Sequence, residues 1–149
     1  MTLHLEELSS TTAAAANSLT LRSGQEDYVT PETYALAESL VEDVESWSRV
    51  VMDDDEVVGV IFGVFDEDNP QPEFRAALWR VIVAADHQGQ GIGRLAVQAL
   101  ADEARKRGFS ELTAIWEPGE LGPHEFFTAV GFVVKGETQY GESLGVLEL

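Results

Sequence analysis

The sequence contains no cysteine. That excludes disulfides and thiolate metal ligands and removes one cue to the compartment, for which the cytoplasm is the default expectation. Lysine is nearly absent too. Lys106 and Lys135 are two of only nine basic residues, set against 27 Asp and Glu for a net charge of −18. Such a field repels phosphate backbones and anionic bilayers, so no nucleic acid and no membrane is expected as a partner. Long apolar runs are missing as well, and none approaches the ~20 residues that a membrane-crossing helix needs. "MTLHLEELSS" has neither the basic start nor the apolar centre of a secretory signal. His4, His87 and His124 are dispersed and the carboxylates lack calcium-loop spacing, so no metal site is expected.

What is present suits one domain over residues 1–149: 44% of the positions are hydrophobic, enough for a single core. The acidity has two readings that the sequence leaves open. It draws cationic small molecules to the protein, or it is the solvated surface of a salt-adapted organism.

Thr2–Leu8 alternates apolar and polar residues as a half-buried strand does. Ser and Thr ahead of an alanine run predict a capped helix over Thr12–Leu19, and a second helix follows Pro31. "SRVVM" and "EVVGVIFGVF" flank an acidic turn, Asp53 to Glu56, as a hairpin, and "EFRAALWRVIVAA" reads as a long central strand. Ile92, Leu95, Ala96, Ala99, Leu100 and Ala104 recur at helical steps. Arg105, Lys106 and Arg107 stand at the helix end that favours cations, and Gly108 supplies a left-handed stop. "ELTAIW" is a strand, Pro123 opens a short helix, and "GFVVKGETQYGESLGVLEL" holds a closing pair of strands. The order β-α-α-β-β-β-α-β-α-β-β predicts an α/β (α+β) sandwich. Its mixed, mostly antiparallel sheet has about seven strands, flanked by about four helices.

One stretch stands apart: "VIVAADHQGQGIG", Val81 to Gly93, in which a strand runs through three glycines straight into a helix. Glycine lets a ligand approach backbone N–H groups without a Cβ in the way, and amides at a helix N-terminus suit phosphate. The spacing fits neither G-x-G-x-x-G nor a P-loop. It does resemble motif A of the GNAT N-acetyltransferase superfamily, R/Q-x-x-G-x-G/A, with Gln88, Gly91 and Gly93 at its fixed positions. The preceding V-x-P-x-x is Val83 to His87 here, with Ala85 where that family has proline. "YVTPETYALAES", "WEPG" and "KGETQYGESLGVLEL" resemble the bacterial spermidine/spermine acetyltransferase branch.

The resemblance implies a GNAT-like fold whose strands splay around an acetyl-CoA site. The main chain of Val81, Ile82 and Val83 would pair with the pantetheine arm. Amides of Gln88, Gly89, Gln90, Gly91, Ile92, Gly93 and Arg94 would wrap the pyrophosphate. Arg94 and His87 also have plainer readings, as an exposed helix residue and a loop histidine.

Acetyl transfer to an amine needs a neutral amine, a polarised carbonyl and a proton for the departing thiolate. The family's proton-donating tyrosine, in F/L-Y-x-x-x-G-F, falls on Phe127 of "FFTAVGF". A phenyl ring can line the acetyl-CoA channel but cannot give a proton. Either water protonates the thiolate, or His124 does, one helical turn earlier. Glu117, after "ELTAIW", is a candidate base, and Glu73 could line the cleft; the plain reading of both is solvated surface. Glu26 and Tyr28, with Asp27 and Glu32, match the segment that covers the substrate in the polyamine branch and would suit ammonium groups. Glu120 stands where the family has a cofactor-touching asparagine. Trp47, Trp79 and Trp116 read first as core.

The expectation is an acetyl-CoA-dependent N-acetyltransferase acting on a primary amine of a small, cationic, polyamine-like substrate. Glu117 and His124 are its catalytic candidates and Glu26, Tyr28 and Glu73 its substrate-binding ones. It uses no metal, and by family analogy it forms a homodimer. Phe127 keeps open a second reading, an acetyl-CoA-binding sensor with little turnover. A third is acetylation of a peptide N-terminus or an antibiotic amine.

Overall fold

The computed structural model describes residues 2–25, 45–120 and 122–149. Seven strands form one sheet: β1 (Leu3–Glu7), β2 (Glu45–Asp53), β3 (Glu56–Phe65), β4 (Ala76–Val83), β5 (Glu111–Trp116), β6 (Val133–Glu137) and β7 (Ser143–Glu148). Their order is β1-β2-β3-β4-β5-β7-β6, and every neighbouring pair is antiparallel except β4 and β5. Among the described residues there are three α-helices: α1 (Ala13–Asn17), α2 (Ile92–Lys106) and α3 (His124–Val130). The mixed, mostly antiparallel sheet is the one expected. The helix placed after Pro31 lies outside the described residues.

Two elements are shorter than their sequence patterns suggest. Thr12 does not cap α1; its hydroxyl instead accepts from the Ser9 N–H at 3.0 Å, inside the preceding turn. At the far end, the Ser18 hydroxyl donates to the Ala14 carbonyl at 2.8 Å and closes the helix early. The central strand loses both ends. Pro72–Phe74 and Ala85–His87 are 3-10 turns, and only Ala76–Val83 is strand.

The long helix α2 lies on one face of the sheet, over the largest core cluster, and buries Ile92, Ala96, Val97, Leu100, Ala101 and Ala104. Small residues let it settle close. A Cβ on Gly63 of β3 would come within 2.5 Å of the Leu100 side chain, so only glycine admits the helix there. The opposite face carries two smaller clusters, one under α1 and one around Val64, Phe74, Ala77 and Ile115.

Arg107 ties α2 to the sheet. It bonds Glu103 at 2.7 Å and Glu45 at 2.9 Å, and its guanidinium lies 4.2 Å from the Phe65 ring centroid. Burial alone would lower its pKa, but the bonds to the two carboxylates outweigh this and raise it above the usual arginine value. A raised pKa adds stability that is fully present below the unfolded value and lost only as pH rises past it. The contribution is therefore flat across all working pH. Arg107→Met should cost about 1–2 kcal/mol in the denaturant midpoint, with no pH dependence between about 5 and 9.

Two irregularities in β4 prepare the site. First, β4 and β5 pair only at Ala77↔Thr113 and Leu78↔Ala114; beyond that the strands part. Second, the register against β3 runs from Gly63↔Leu78 to Phe62↔Arg80, so Trp79 is an extra residue, a bulge. Before it Leu78, and after it Val81 and Val83, face α2. Trp79 packs on the opposite face, and Arg80 shares that face with its partner Phe62. Two consecutive side chains therefore point away from α2, beside the gap between β4 and β5.

Candidate functional site

Where β4 and β5 separate, a cleft of about 680 Å³ opens, running from the glycine turn to the far face of the sheet. The turn is held from behind. After Val83 the chain curls through Ala85–His87, with the Ala84 N–H on the Val58 carbonyl at 2.9 Å. The Ala85 N–H donates to Thr20 at 2.7 Å, a bond that a proline at this position could not make. The Gln88 side chain then reaches back to the Val83 carbonyl at 3.1 Å and exchanges two amide bonds, 2.8 and 3.0 Å, with Gln25. The first fixed residue of the motif thus clamps the loop to the strand that precedes it.

The three glycines of the motif region serve two different ends. Gly89 and Gly91 have φ of +80° and +84°, and nothing lies within 4 Å of where a Cβ would sit. They are glycines because the backbone turns left-handed there, and the space above them is open. Gly93 is a packing glycine: a Cβ would meet Phe126 of α3 at 2.6 Å. Among the described residues, the amides from Gly89 to Arg94 donate to no other backbone group; the first bond of α2 is Leu95 N–H to Gly91 O at 3.0 Å. A run of main-chain donors at the positive end of a 15-residue helix faces the cleft. Arg94 bridges to α3 through the Ala129 carbonyl at 3.0 Å, closing this end.

The other wall is aromatic. Trp116 and Phe127 are 2% and 4% exposed and stack at 4.7 Å, with Phe126 and Phe132 edge-on to Phe127. The Trp116 indole N–H donates to His124 Nδ1 at 3.3 Å. That bond makes Nδ1 the acceptor and leaves Nε2 as the ring's other nitrogen. Burial lowers the Arg80 pKa.

Of the residues singled out in the sequence, Val81, Val83, Gln88, Gly89, Gly91, Ile92, Gly93, Arg94 and Phe127 line the cleft together. Ile82 does not, since its side chain packs under α1 on the other face, and Gln90 and Glu120 also lie outside the lining. Glu117 is half-buried beyond β5, and His124 is exposed; neither lines the cleft. Glu73 sits on the 3-10 turn ahead of β4, at the end away from the glycine turn, and does not line the cleft either. Glu26 and Tyr28 lie outside the described residues. Trp79 and Trp116, read as core, line the cleft as well.

Leu21, Arg22, Gln25, Arg80 and Phe126 line it without having been singled out. Only the bulge reveals Arg80, because by strict alternation it would have faced α2. Gln25 carries no local signal at all. Among the described residues no group of His, Asp or Glu could hold a metal ion.

A profile of the acetyltransferase (GNAT) family matches residues 13–132. The rat protein N-acetyltransferase 8F1 is 26% identical over 82 residues, which is 55% of this chain and 37% of the relative. The chain thus matches little more than a third of that relative's length. Among solved structures, the PaiA N-acetyltransferase of Thermoplasma acidophilum, bound to coenzyme A, superposes with a TM-score of 0.75. It is 14% identical and the match covers 100% of both chains. The ribosomal-protein-S18-alanine N-acetyltransferase of Escherichia coli gives a TM-score of 0.66 at 18% identity, covering 99% and 94%.

Proposed function

Because the chain belongs to the acetyltransferase (GNAT) family, we propose that it transfers an acetyl group from acetyl-CoA to a primary amine of a small molecule or peptide. The observation that carries this reading is the open row of amides between Gly89 and Arg94 at the mouth of the cleft. Their geometry suits a diphosphate: left-handed glycines, no Cβ overhead and a helix dipole behind. Acetyl-CoA, when bound, supplies an acyl carbon open to attack and a thiol as leaving group.

The protein's part is positioning and charge. The residues of β4 past Leu78 have no partner on β5, so their main chain is available to an extended ligand arm. The bulge at Trp79 breaks the ladder where N–H groups can polarise a carbonyl. Trp116 and Phe127 close the cleft on one side and keep water from it. The acceptor amine enters from the face opposite α2, lined by Trp79, Arg80 and Ile115.

For the leaving thiolate, solvent is the proton source that this geometry supports. His124 has Nδ1 occupied by the Trp116 N–H and lies outside the cleft lining. His124→Ala should leave kcat within about twofold and the pH profile unchanged. A tenfold fall would return the histidine to the role of donor. Glu117, half-buried just past the end of β5, is the candidate to relay the amine's proton through water.

A polyamine acceptor would need carboxylates at the cleft. Of the residues expected to supply them, Glu73 is elsewhere, so that choice rests on Glu26, Asp27 and Glu32, with Tyr28 offering an aromatic face. Calorimetric titration with acetyl-CoA, then thiol release across an amine panel, tests the reading. Binding with turnover supports it. Binding with none favours a sensor, and the absence of binding removes it.

A further inference from the structure

Between Gln88 and the start of α2 the main chain has few internal supports. Gly89 and Gly91 are left-handed, and among the described residues the amides from Gly89 to Arg94 donate to no other backbone group. Downstream the stretch is fixed by the first bond of α2, Leu95 N–H to Gly91 O at 3.0 Å. Upstream it is fixed by a side chain, that of Gln88, on the Val83 carbonyl at 3.1 Å. That side chain is itself held. Gln25, 63 positions away in the chain, accepts from Gln88 Nε2 at 2.8 Å and donates back to Gln88 Oε1 at 3.0 Å. Both hydrogens of the Gln88 amide are then engaged, one by Val83 and one by Gln25. Gln25 is fixed in turn, because its Oε1 also accepts the Arg22 N–H at 3.0 Å. The Thr20 carbonyl takes the Ala85 N–H at 2.7 Å, so the segment from Thr20 to Gln25 is tied at both ends to the loop that leads into the turn.

We propose that Gln25 is a positioning residue of the donor site: by locking the Gln88 amide, it sets the direction of the Gly89–Arg94 amides before a diphosphate arrives. This rests on the acetyltransferase reading given above. The physical need comes from the glycines. Left-handed glycine makes the turn possible, but glycine also loses the most conformational freedom when it is ordered. A turn ordered in advance spares the ligand that cost, and a turn pinned at only one end does not. The pair lies in a part-buried setting, where water competes less well for the amides. Gln25 borders the cleft, yet its oxygen already accepts two bonds and its nitrogen already serves Gln88. Its hold on the donor therefore runs through Gln88.

The test uses the full chain and two donors, acetyl-CoA and S-acetylpantetheine, which lacks the diphosphate. Gln25→Met keeps the length of the side chain and removes both amide bonds. Titration calorimetry should show the Kd for acetyl-CoA raised about 5- to 30-fold. The affinity for S-acetylpantetheine, read by NMR titration, should be unchanged. Gln88→Met alone should give the same loss, confined to the same donor. In that background Gln25→Met should add less than about twofold, because the two residues act as one unit. Wild-type affinity for acetyl-CoA in Gln25→Met, or an equal loss on both donors, would overturn the assignment. A full further loss in the Gln88→Met background would overturn it too, since Gln25 would then touch the donor directly. Each of these outcomes leaves the acetyltransferase reading intact. Failure of the wild-type protein to bind acetyl-CoA would remove both.

Discussion

Gly91→Val is expected to raise the Kd for acetyl-CoA at least about 100-fold while leaving the protein folded. Two effects combine. Valine at a φ of +84° is strained by about 1–3 kcal/mol, which reshapes the turn that aims the amides. Its side chain also rises into the space above them, which is empty of protein atoms within 4 Å. Because that space is empty, the second cost falls on the ligand and not on the fold, and each charged hydrogen bond lost there is worth about 1.5–3 kcal/mol. Gly91→Ala isolates the strain and should weaken binding less. Titration calorimetry, with a thermal melt as the control for folding, reads both. Wild-type affinity in Gly91→Val would mean that the diphosphate is not held at this turn, and the proposed function would lose its support.

Gly145→Ala should destabilise the protein by about 2–3 kcal/mol although it adds one methyl group to a strand. The added Cβ would lie 2.5 and 2.6 Å from Cη2 and Cζ3 of Trp116. The indole has nowhere to retreat: it is 2% exposed and stacked against Phe127 on the cleft wall. Relief requires moving Trp116, and with it the wall and the bond to His124. For a domain of this size the melting point should fall by roughly 2–4 °C per kcal/mol, and acetyl-CoA affinity should fall with it. Trp116→Phe removes the crowded ring edge, so Gly145→Ala should cost much less in that background. Equal cost in both backgrounds would show that the two residues do not clash.

Much of the architecture was legible because it rests on local rules. Alternation marked β1, the acidic turn between two apolar runs marked β2 and β3, helical steps marked α2, and Gly108 ended that helix with a φ of +92°. The donor loop was legible for the same reason. Left-handed backbone at Gly89 and Gly91 depends on the absence of a Cβ at those very positions, a property of single residues. The motif's third glycine was legible as a glycine but not for its purpose. Gly93 makes room for Phe126, some thirty positions along the chain, and no local pattern announces that contact.

The acceptor side was less legible for a related reason. Glu117 and Glu73 were candidates because they stand at the ends of strands, yet Glu73 is drawn into a proline-initiated 3-10 turn and Glu117 lies off the lining. Arg80 was not singled out, and alternation counted from Leu78 would have turned it toward α2. One unpaired position reversed that face, and a bulge is a property of two strands in register, not of one strand's composition.

Taken alone, the sequence determined the order of elements, the phosphate-suited turn and the family pattern that runs through Gln88, Gly91 and Gly93. Each of these is written in neighbouring residues, where backbone sterics and side-chain period act over a few positions. The tertiary structure alone decided where β4 and β5 part, which side Arg80 takes, how Gln25 meets Gln88 and why Gly145 must be small. Those depend on atoms brought together from distant parts of the chain, and only packing and register set their separation.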